Sequence, residues 1–234
     1  MHADSGRTCE SCKLKENGFL CHLSPVAAKE FESIKSSSFY AAGSTLFLEN
    51  EPPKGIFLLC SGKIKLSVSS RGGKTLILQL ARPGEILGLS ASMSGLAYEV
   101  SAEALHPSKV TFIRREDFLR FVNRFPELYQ AVTRQLNVQY SRACEQLRTV
   151  GLSTSANEKV ARLFLDWSSE EAQTSEGAQI KMALTHEQIA ECVGSTRETI
   201  TRTLSEFKNK HLVTFKGATV TIPSRSALQA VCGD

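Results

Sequence analysis

The 234-residue sequence has no long apolar run. Its longest uninterrupted hydrophobic stretch is the five residues at 56–60, against the roughly 20 that a membrane-spanning helix requires. The first six residues, MHADSG, are polar and lack the apolar core of a secretory leader. Seven cysteines are too few, and odd in number, for a disulfide scaffold. Glycine and proline follow no three-residue period, which excludes a collagen-like rod, and 41% hydrophobic content excludes a disordered chain. Catalytic signatures are missing too. His186-Glu187-Gln188-Ile189-Ala190 opens like a zinc protease motif but has Ala190 at the second histidine, and Gly73-Lys74-Thr75 ends like a phosphate loop but has Val68 at its first glycine. Gly88-Leu89-Ser90-Ala91-Ser92 lacks the second glycine of a nucleophile elbow. The expectation is a soluble, cytoplasmic protein of one large or two modest domains, with no membrane partner and no enzyme activity.

Short alternating runs fill residues 39–112. Ile64, Leu66 and Val68 alternate with Lys63, Lys65 and Ser67; Leu76, Leu78 and Leu80 alternate again, and Val100, Ala102 and Ala104 repeat the pattern. Turn signals separate them, among them Pro52-Pro53, Gly72-Gly73 and Pro83-Gly84. Period-two strands with glycine-rich turns predict an antiparallel sandwich or barrel. A short helix should precede it at 25–34, with Val26, Phe31 and Ile34 inward. After it, no proline or glycine interrupts the chain between Pro126 and Val150, and Leu128, Val132, Leu136, Tyr140, Ala143, Leu147 and Val150 recur every three or four positions. That stripe predicts a long helix with a two-stranded dimer seam, packing on its own β-module being the alternative. The expected organisation is a Cys-bearing arm at 1–24, a β-domain at 25–125, the dimer helix at 126–151 and a second domain at 152–234. In the last, helices flank a polar link at 168–177 and a small hairpin ends near 222.

Charge is unevenly spread. Residues 153–191 hold 3 Lys and Arg against 7 Asp and Glu, whereas residues 195–225 hold 6 against 2. A basic patch confined to about 30 residues points to one face that meets nucleic acid. Within it, Thr185 with Gln188 reads as one capping box and Ser195 with Glu198 as a second, with Gly194 between them to end the first helix. Two helices joined by so tight a turn form a helix-turn-helix. At about 100° per residue, with Arg197 at zero, Thr201, Ser205, Glu198 and Arg202 fall at roughly 40°, 80°, 100° and 140°. Ile200, Leu204 and Phe207 fall at roughly 300°, 340° and 280°. The second helix therefore has an apolar anchor opposite a face of two arginines, a carboxylate and a hydroxyl. Arginine bonds guanine, glutamate accepts from cytosine, and a threonine methyl touches thymine. The candidate DNA-binding residues are Ser195, Thr196, Arg197, Glu198, Thr201 and Arg202. Glu198 has a competing task in its capping box, and a solvated, salt-bridged helix face is the bland alternative.

These residues resemble the Crp/Fnr superfamily of bacterial transcription regulators, and the likeness spans nearly all of the chain. It rests on Ser61-Gly62-Lys63, on Pro83-Gly84-Glu85-Ile86-Leu87-Gly88, and on Val193-Gly194-Ser195-Thr196-Arg197-Glu198-Thr199-Ile200-Thr201-Arg202. The resemblance implies an α+β protein: an N-terminal β jelly-roll sensor domain of the cyclic-nucleotide-binding kind, a long dimerisation helix and a C-terminal winged helix-turn-helix. It implies a homodimer on a two-fold symmetric operator, with RNA polymerase as a further partner, and puts Arg197, Glu198 and Arg202 at base-reading positions. Thr201 lies where Fnr-type members carry a serine. Readings from other classes are a metal- or thiol-dependent enzyme using the β-module as a pocket, and a small-molecule-binding regulatory subunit that does not touch DNA.

The effector is less well specified. Members that bind cyclic AMP carry a glutamate after the glycine matching Gly88 and an Arg-Ser pair about ten residues on; here stand Leu89 and Tyr98-Glu99, which argues against cyclic AMP. Cys9, Cys12 and Cys21 instead resemble the ligands of the oxygen-labile 4Fe–4S cluster of the Fnr branch. That branch's fourth cysteine falls at Thr111, so Cys60, on the apolar run at 56–60 inside the β-module, is the substitute candidate. A zinc site on Cys9, Cys12, Cys21 and His22, and redox-reactive thiols without metal, are the competing readings.

Overall fold

The computed structural model describes residues 23–169, 173–174, 177–181, 184–217 and 219–233. They form two compact units: one of residues 23–68 and 78–142, the other of residues 69–77 together with those from 143 on.

In the first unit Ser24 starts α1 (Pro25–Ile34), its hydroxyl accepting from the Ala27 amide with Pro25 at the first helical position. Ala27, Ala28 and Phe31 are buried, but Val26 is 66% exposed. The expected inner face was wrong at Val26, because five residues place it about 140° from Phe31 around a helix. Eight strands follow: β1 (Ser36–Tyr40), β2 (Thr45–Phe47), β3 (Gly55–Ser61), β4 (Ile64–Ser69), β5 (Thr75–Ala81), β6 (Ile86–Leu87), β7 (Ser101–Ala104) and β8 (Ser108–Arg114). They make a jelly roll of two four-stranded sheets, ordered β1-β8-β3-β6 and β2-β7-β4-β5. Short α2 (Leu89–Ser94) interrupts β6 and β7, and α3 (Arg115–Arg124) follows β8 directly.

The uninterrupted apolar run at 56–60 is explained by β3, which is covered on both sides. Phe57 and Leu59 point into the roll among Phe47, Ile64, Tyr98 and Val110, while Ile56 and Leu58 point outward among Phe31, Phe118, Phe121 and Leu128. On β5 the inner face is Ile77 and Ala81, both at most 1% exposed, and the leucines at 76, 78 and 80 lie on the other side, half-buried. Alternation gives a strand two faces without saying which one meets the core, and here the core side is that of Ile77 and Ala81.

The long helix α4 (Leu128–Leu152) divides its stripe. Leu128, Ala131 and Val132 are buried against the helices and β3 of the first unit, with Leu136 packed beside them. Tyr140 and Leu147 stay 71% and 72% exposed.

In the second unit come α5 (Ala156–Ser169), β9 (Gln173–Thr174), β10 (Gly177–Lys181), α6 (His186–Val193), α7 (Arg197–Asn209), β11 (Thr214–Lys216), β12 (Thr219–Ile222) and α8 (Arg225–Gln229). The terminal hairpin belongs to a sheet ordered β11-β12-β10-β9, so the segment read as a polar link contributes β9 and the first residue of β10. Gln146 ties this unit together at one point. Its amide donates to the Ile77 carbonyl at 3.1 Å and to the Cys192 carbonyl at 2.6 Å, satisfying an end group of α6 that has no partner inside the helix.

Candidate nucleic-acid interface

The turn between α6 and α7 is built by three side chains and one glycine. Both halves of the Thr185–Gln188 capping box are present: the Gln188 amide donates to Thr185 Oγ1 at 3.2 Å, and the Thr185 amide donates to Gln188 Oε1 at 2.9 Å. Gly194 adopts φ 62°, the left-handed conformation that ends α6, and the next amide, of Ser195, also donates back to the Ala190 carbonyl at 3.0 Å. Ser195 is thus taken up in closing the first helix. Thr196 takes the cap of α7, with extended backbone and its hydroxyl accepting from the Thr199 amide at 3.3 Å. The second capping box, expected at Ser195 with Glu198, does not form: the cap falls one residue later, on Thr196 alone, and Glu198 is relieved of the bond that would have closed the box.

The anchor lies where the helical angles put it. Ile200, Leu204 and Phe207 are 0%, 4% and 1% exposed, while Arg197, Glu198, Thr201, Arg202 and Ser205 face outward. Thr203 is buried as well, and its hydroxyl donates to Asn157 Oδ1 of α5 at 2.9 Å. The Asn157 amide then donates to Glu206 at 2.9 Å, and Lys210 holds the other oxygen of that carboxylate at 2.7 Å. This polar chain joins α5 to α7. It escapes sequence reasoning because its members are 46 and 49 positions apart.

On the outer face, neither arginine is held in a salt bridge among the described residues, though both act electrostatically on Glu198, and Arg202 donates to the Thr199 hydroxyl at 3.5 Å. Glu198 keeps its carboxyl below the usual range, through its own backbone N–H first and then the Thr196 hydroxyl. It is an anion at the helix start, available to accept from a base. Thr201 donates its hydroxyl proton to the Arg197 carbonyl at 2.9 Å and lies 2.8 Å from His186 Nδ1. The β11–β12 hairpin leaves Thr214, Phe215 and Lys216 exposed.

The roll has no room left beside Gly88. Tyr98 is 1% exposed, its ring stacked on Phe47 with centroids 4.1 Å apart. Its hydroxyl donates to the Gly55 carbonyl at 2.9 Å and accepts from the Lys54 and Gly55 amides at 3.0 and 3.2 Å. Burial raises its pKa despite those bonds. A Cβ on Gly88 would meet the Tyr98 ring at 2.7 Å.

Cys60, half-buried, lies at a register shift of β3, with its Sγ 3.3 Å from Thr111 Oγ1; that hydroxyl is in turn 2.9 Å from Ser37 Oγ. Cys9, Cys12, Cys21 and His22 lie outside the described residues. Among the described residues no group of three or more His, Cys, Asp or Glu is placed to hold a metal ion, and no helix is long and apolar enough to cross a membrane.

A jelly roll followed by a long helix and a winged helix-turn-helix, whose second helix turns unpaired arginines outward, defines a DNA-binding regulator. Residues 158–231 match the Crp-like helix-turn-helix domain and residues 38–125 the cyclic nucleotide-binding domain. The chain is 26% identical over 210 residues to the nitrogen fixation regulation protein FixK of Bradyrhizobium diazoefficiens, covering 89% of this chain and 86% of that one. It is 25% identical over 230 residues to the transcriptional activator protein anr of Pseudomonas aeruginosa, covering 96% and 92%. The fold matches that of FixK2 from Bradyrhizobium japonicum with a TM-score of 0.76 at 19% identity, over 85% of this chain and 97% of that one. The protein belongs to the Crp/Fnr superfamily of transcription regulators.

Proposed function

We propose that the chain acts as a homodimer on a two-fold symmetric operator, each copy reading one half-site through Arg197, Glu198, Thr201 and Arg202, with Ser195 and Thr196 holding the start of α7. The observation that carries this is the two-sided α7: buried Ile200, Leu204 and Phe207 behind, exposed unpaired arginines in front. Arginine reads guanine O6 and N7 in bidentate fashion, and the glutamate accepts from cytosine N4. The exposed Tyr140 and Leu147 on α4 supply the seam for the second copy. In this reading residues 1–24 are a sensory arm, 25–125 the sensor roll, 126–151 the dimer helix and 152–234 the DNA-binding domain, with RNA polymerase the protein partner at the promoter. Selection of bound sites from random DNA, with a salt series on the selected palindrome, tests it. Log affinity should fall linearly with log salt, and Leu147→Glu should weaken dimer and operator binding together. Selection of no sequence refutes the reading.

The signal is proposed to enter through the arm. Tyr98 and Phe47 fill the space beside Gly88, which is where a cyclic nucleotide would need an arginine clamp, so cyclic AMP is not the effector in this reading. The thiol of Cys60 stands 3.3 Å from Thr111, the position where the Fnr branch carries its fourth cysteine, and so fits as the last thiolate beside Cys9, Cys12 and Cys21. When bound, a 4Fe–4S cluster supplies an oxygen-labile centre; the chain's own part is to fix the Cys60 sulfur next to Thr111 on the sheet. Iron and acid-labile sulfide after anaerobic purification test this. Cys60→Ser should lose both, and Cys60→Ser with Thr111→Cys should regain them by returning the thiol to the neighbouring strand. Stoichiometric zinc, or a metal-free protein with the same operator affinity in air, refutes it.

A further inference from the structure

The covalent link from α4 to the DNA-binding helices does not by itself fix their orientation. Only residues 153–155 lie between α4 and α5. The Thr154 amide donates forward to Glu158 at 2.7 Å, and the Glu158 amide donates to Ser155 Oγ at 3.1 Å. Those bonds start α5 without setting its angle to α4. A second route runs through space. A side-chain amide nitrogen has two protons to give, and Gln146 Nε2 of α4 serves two carbonyls, that of Ile77 on β5 at 3.1 Å and that of Cys192 at 2.6 Å. Cys192 stands two residues before Gly194, at the end of α6. Gly194 rests on the same two elements: a Cβ there would come 3.4 Å from Val150 Cγ1 of α4 and 3.9 Å from Leu76 Cδ1 of β5. The turn of the helix-turn-helix is thus seated on α4 directly.

The next residue along α4, Leu147, is 72% exposed and stands about 100° around the helix from Gln146. Neighbouring positions of one helix therefore serve the seam for the second copy and the turn that precedes α7. We infer that Gln146 is a specificity residue for operator spacing: by strapping that turn to the dimer helix, it fixes how far apart, and at what angle, the two copies present their recognition helices. It is a positioning residue, acting through Cys192 and the turn, while base preference stays with α7. This rests on the dimeric DNA-binding reading above and deepens it. One base pair added between half-sites moves them apart by about 3.4 Å and turns them by roughly 35°. A strapped dimer must strain or release its straps to follow. Each strap resists only up to the strength of its two bonds, which amounts to about thirtyfold in affinity.

The full-length protein and the palindrome it selects, with one base pair inserted or removed at the centre, provide the test. Wild type should bind the altered spacings more weakly than the selected one. Gln146→Met, which keeps the length of the side chain without a donor, should shrink that penalty by about five- to thirtyfold. Base preference within each half-site, selected from random DNA, should be the same for both proteins. Gln146→Lys, whose ammonium can donate to both carbonyls, should restore the native spacing preference. Gln146→Ala, which leaves room for water at the two carbonyls, replaces the methionine variant if circular dichroism shows the latter unfolded. A spacing penalty in these donor-free variants equal to that of wild type overturns the inference while leaving the regulator intact. So does a changed base preference within the half-site, since Gln146 would then shape α7 itself and not its placement. A chain that selects no sequence at all overturns the DNA-binding reading and takes this inference with it.

Discussion

Replacing Asn157 by alanine separates the recognition helix from its polar support without touching the DNA face. In the native chain Asn157 accepts from the buried Thr203 hydroxyl at 2.9 Å and donates to Glu206 at 2.9 Å. Asn157→Ala leaves Thr203, 3% exposed, with a hydroxyl that has lost its partner. Orphaning a buried polar group costs about 1–3 kcal/mol. The Glu206 bond adds little, because that carboxylate keeps Lys210 and reaches water. For a unit of this size, such a loss lowers the melting temperature by roughly 4 to 20 °C. Calorimetry should place the shift in the transition of the DNA-binding unit, and operator affinity should fall with it above that lowered transition. The companion variant decides the cause. Asn157→Leu combined with Thr203→Val removes both partners, so the pair should be less destabilised than the sum of the two single changes. A melting point unchanged by Asn157→Ala, or strict additivity in the double variant, would refute the argument that this buried bond holds α7 in place.

The same reasoning yields three shorter expectations. Glu206 is held below the usual carboxylate range first by Lys210 and then by Asn157. A depressed carboxyl contributes stability that is present above the ordinary glutamate value of about 4.3 and is lost as pH falls through the folded-state value. The part of the Asn157→Ala difference that comes from Glu206 should therefore vanish in acid, seen as converging melting points below about pH 4. Cys192 is 3% exposed and its thiol is pushed up to about 12 by burial and, second, by the Glu191 charge. Alkylation at pH 8 should mark the half-buried Cys60 and Cys144 first, and labelling of Cys192 at a comparable rate would mean that α6 opens readily. Arg202→Ala should cost about 1–3 kcal/mol at one guanine of the selected site and flatten discrimination there; uniform weakening across sequences would instead make Arg202 a phosphate contact.

The identity of the fold was written in local patterns. Alternation with glycine-rich turns marked the strands, and Thr185-x-x-Gln188 followed by Gly194 marked the helix pair, since caps and turns are decided by residues three or four apart. The faces of α7 were equally legible, because an angle of 100° per residue needs no tertiary information. By itself the sequence determined the order of β-module, long helix and helix pair, the DNA-facing helix and the regulator class, but not the strands between α5 and α6. Three matters belonged to the tertiary structure alone. The core side of β5 fell to Ile77 and Ala81, and α4 buried Leu128 and Val132 while leaving Leu147 in water, because the partner surface and not the strip's own period selects which apolar residues are covered. The cap of α7 moved from Ser195 to Thr196 because closing α6 consumed one more residue. Cys60 met Thr111, Thr203 met Asn157, and His186 met Thr201, each through a hydrogen bond between residues 15 to 51 positions apart that only folding could bring within 3.3 Å.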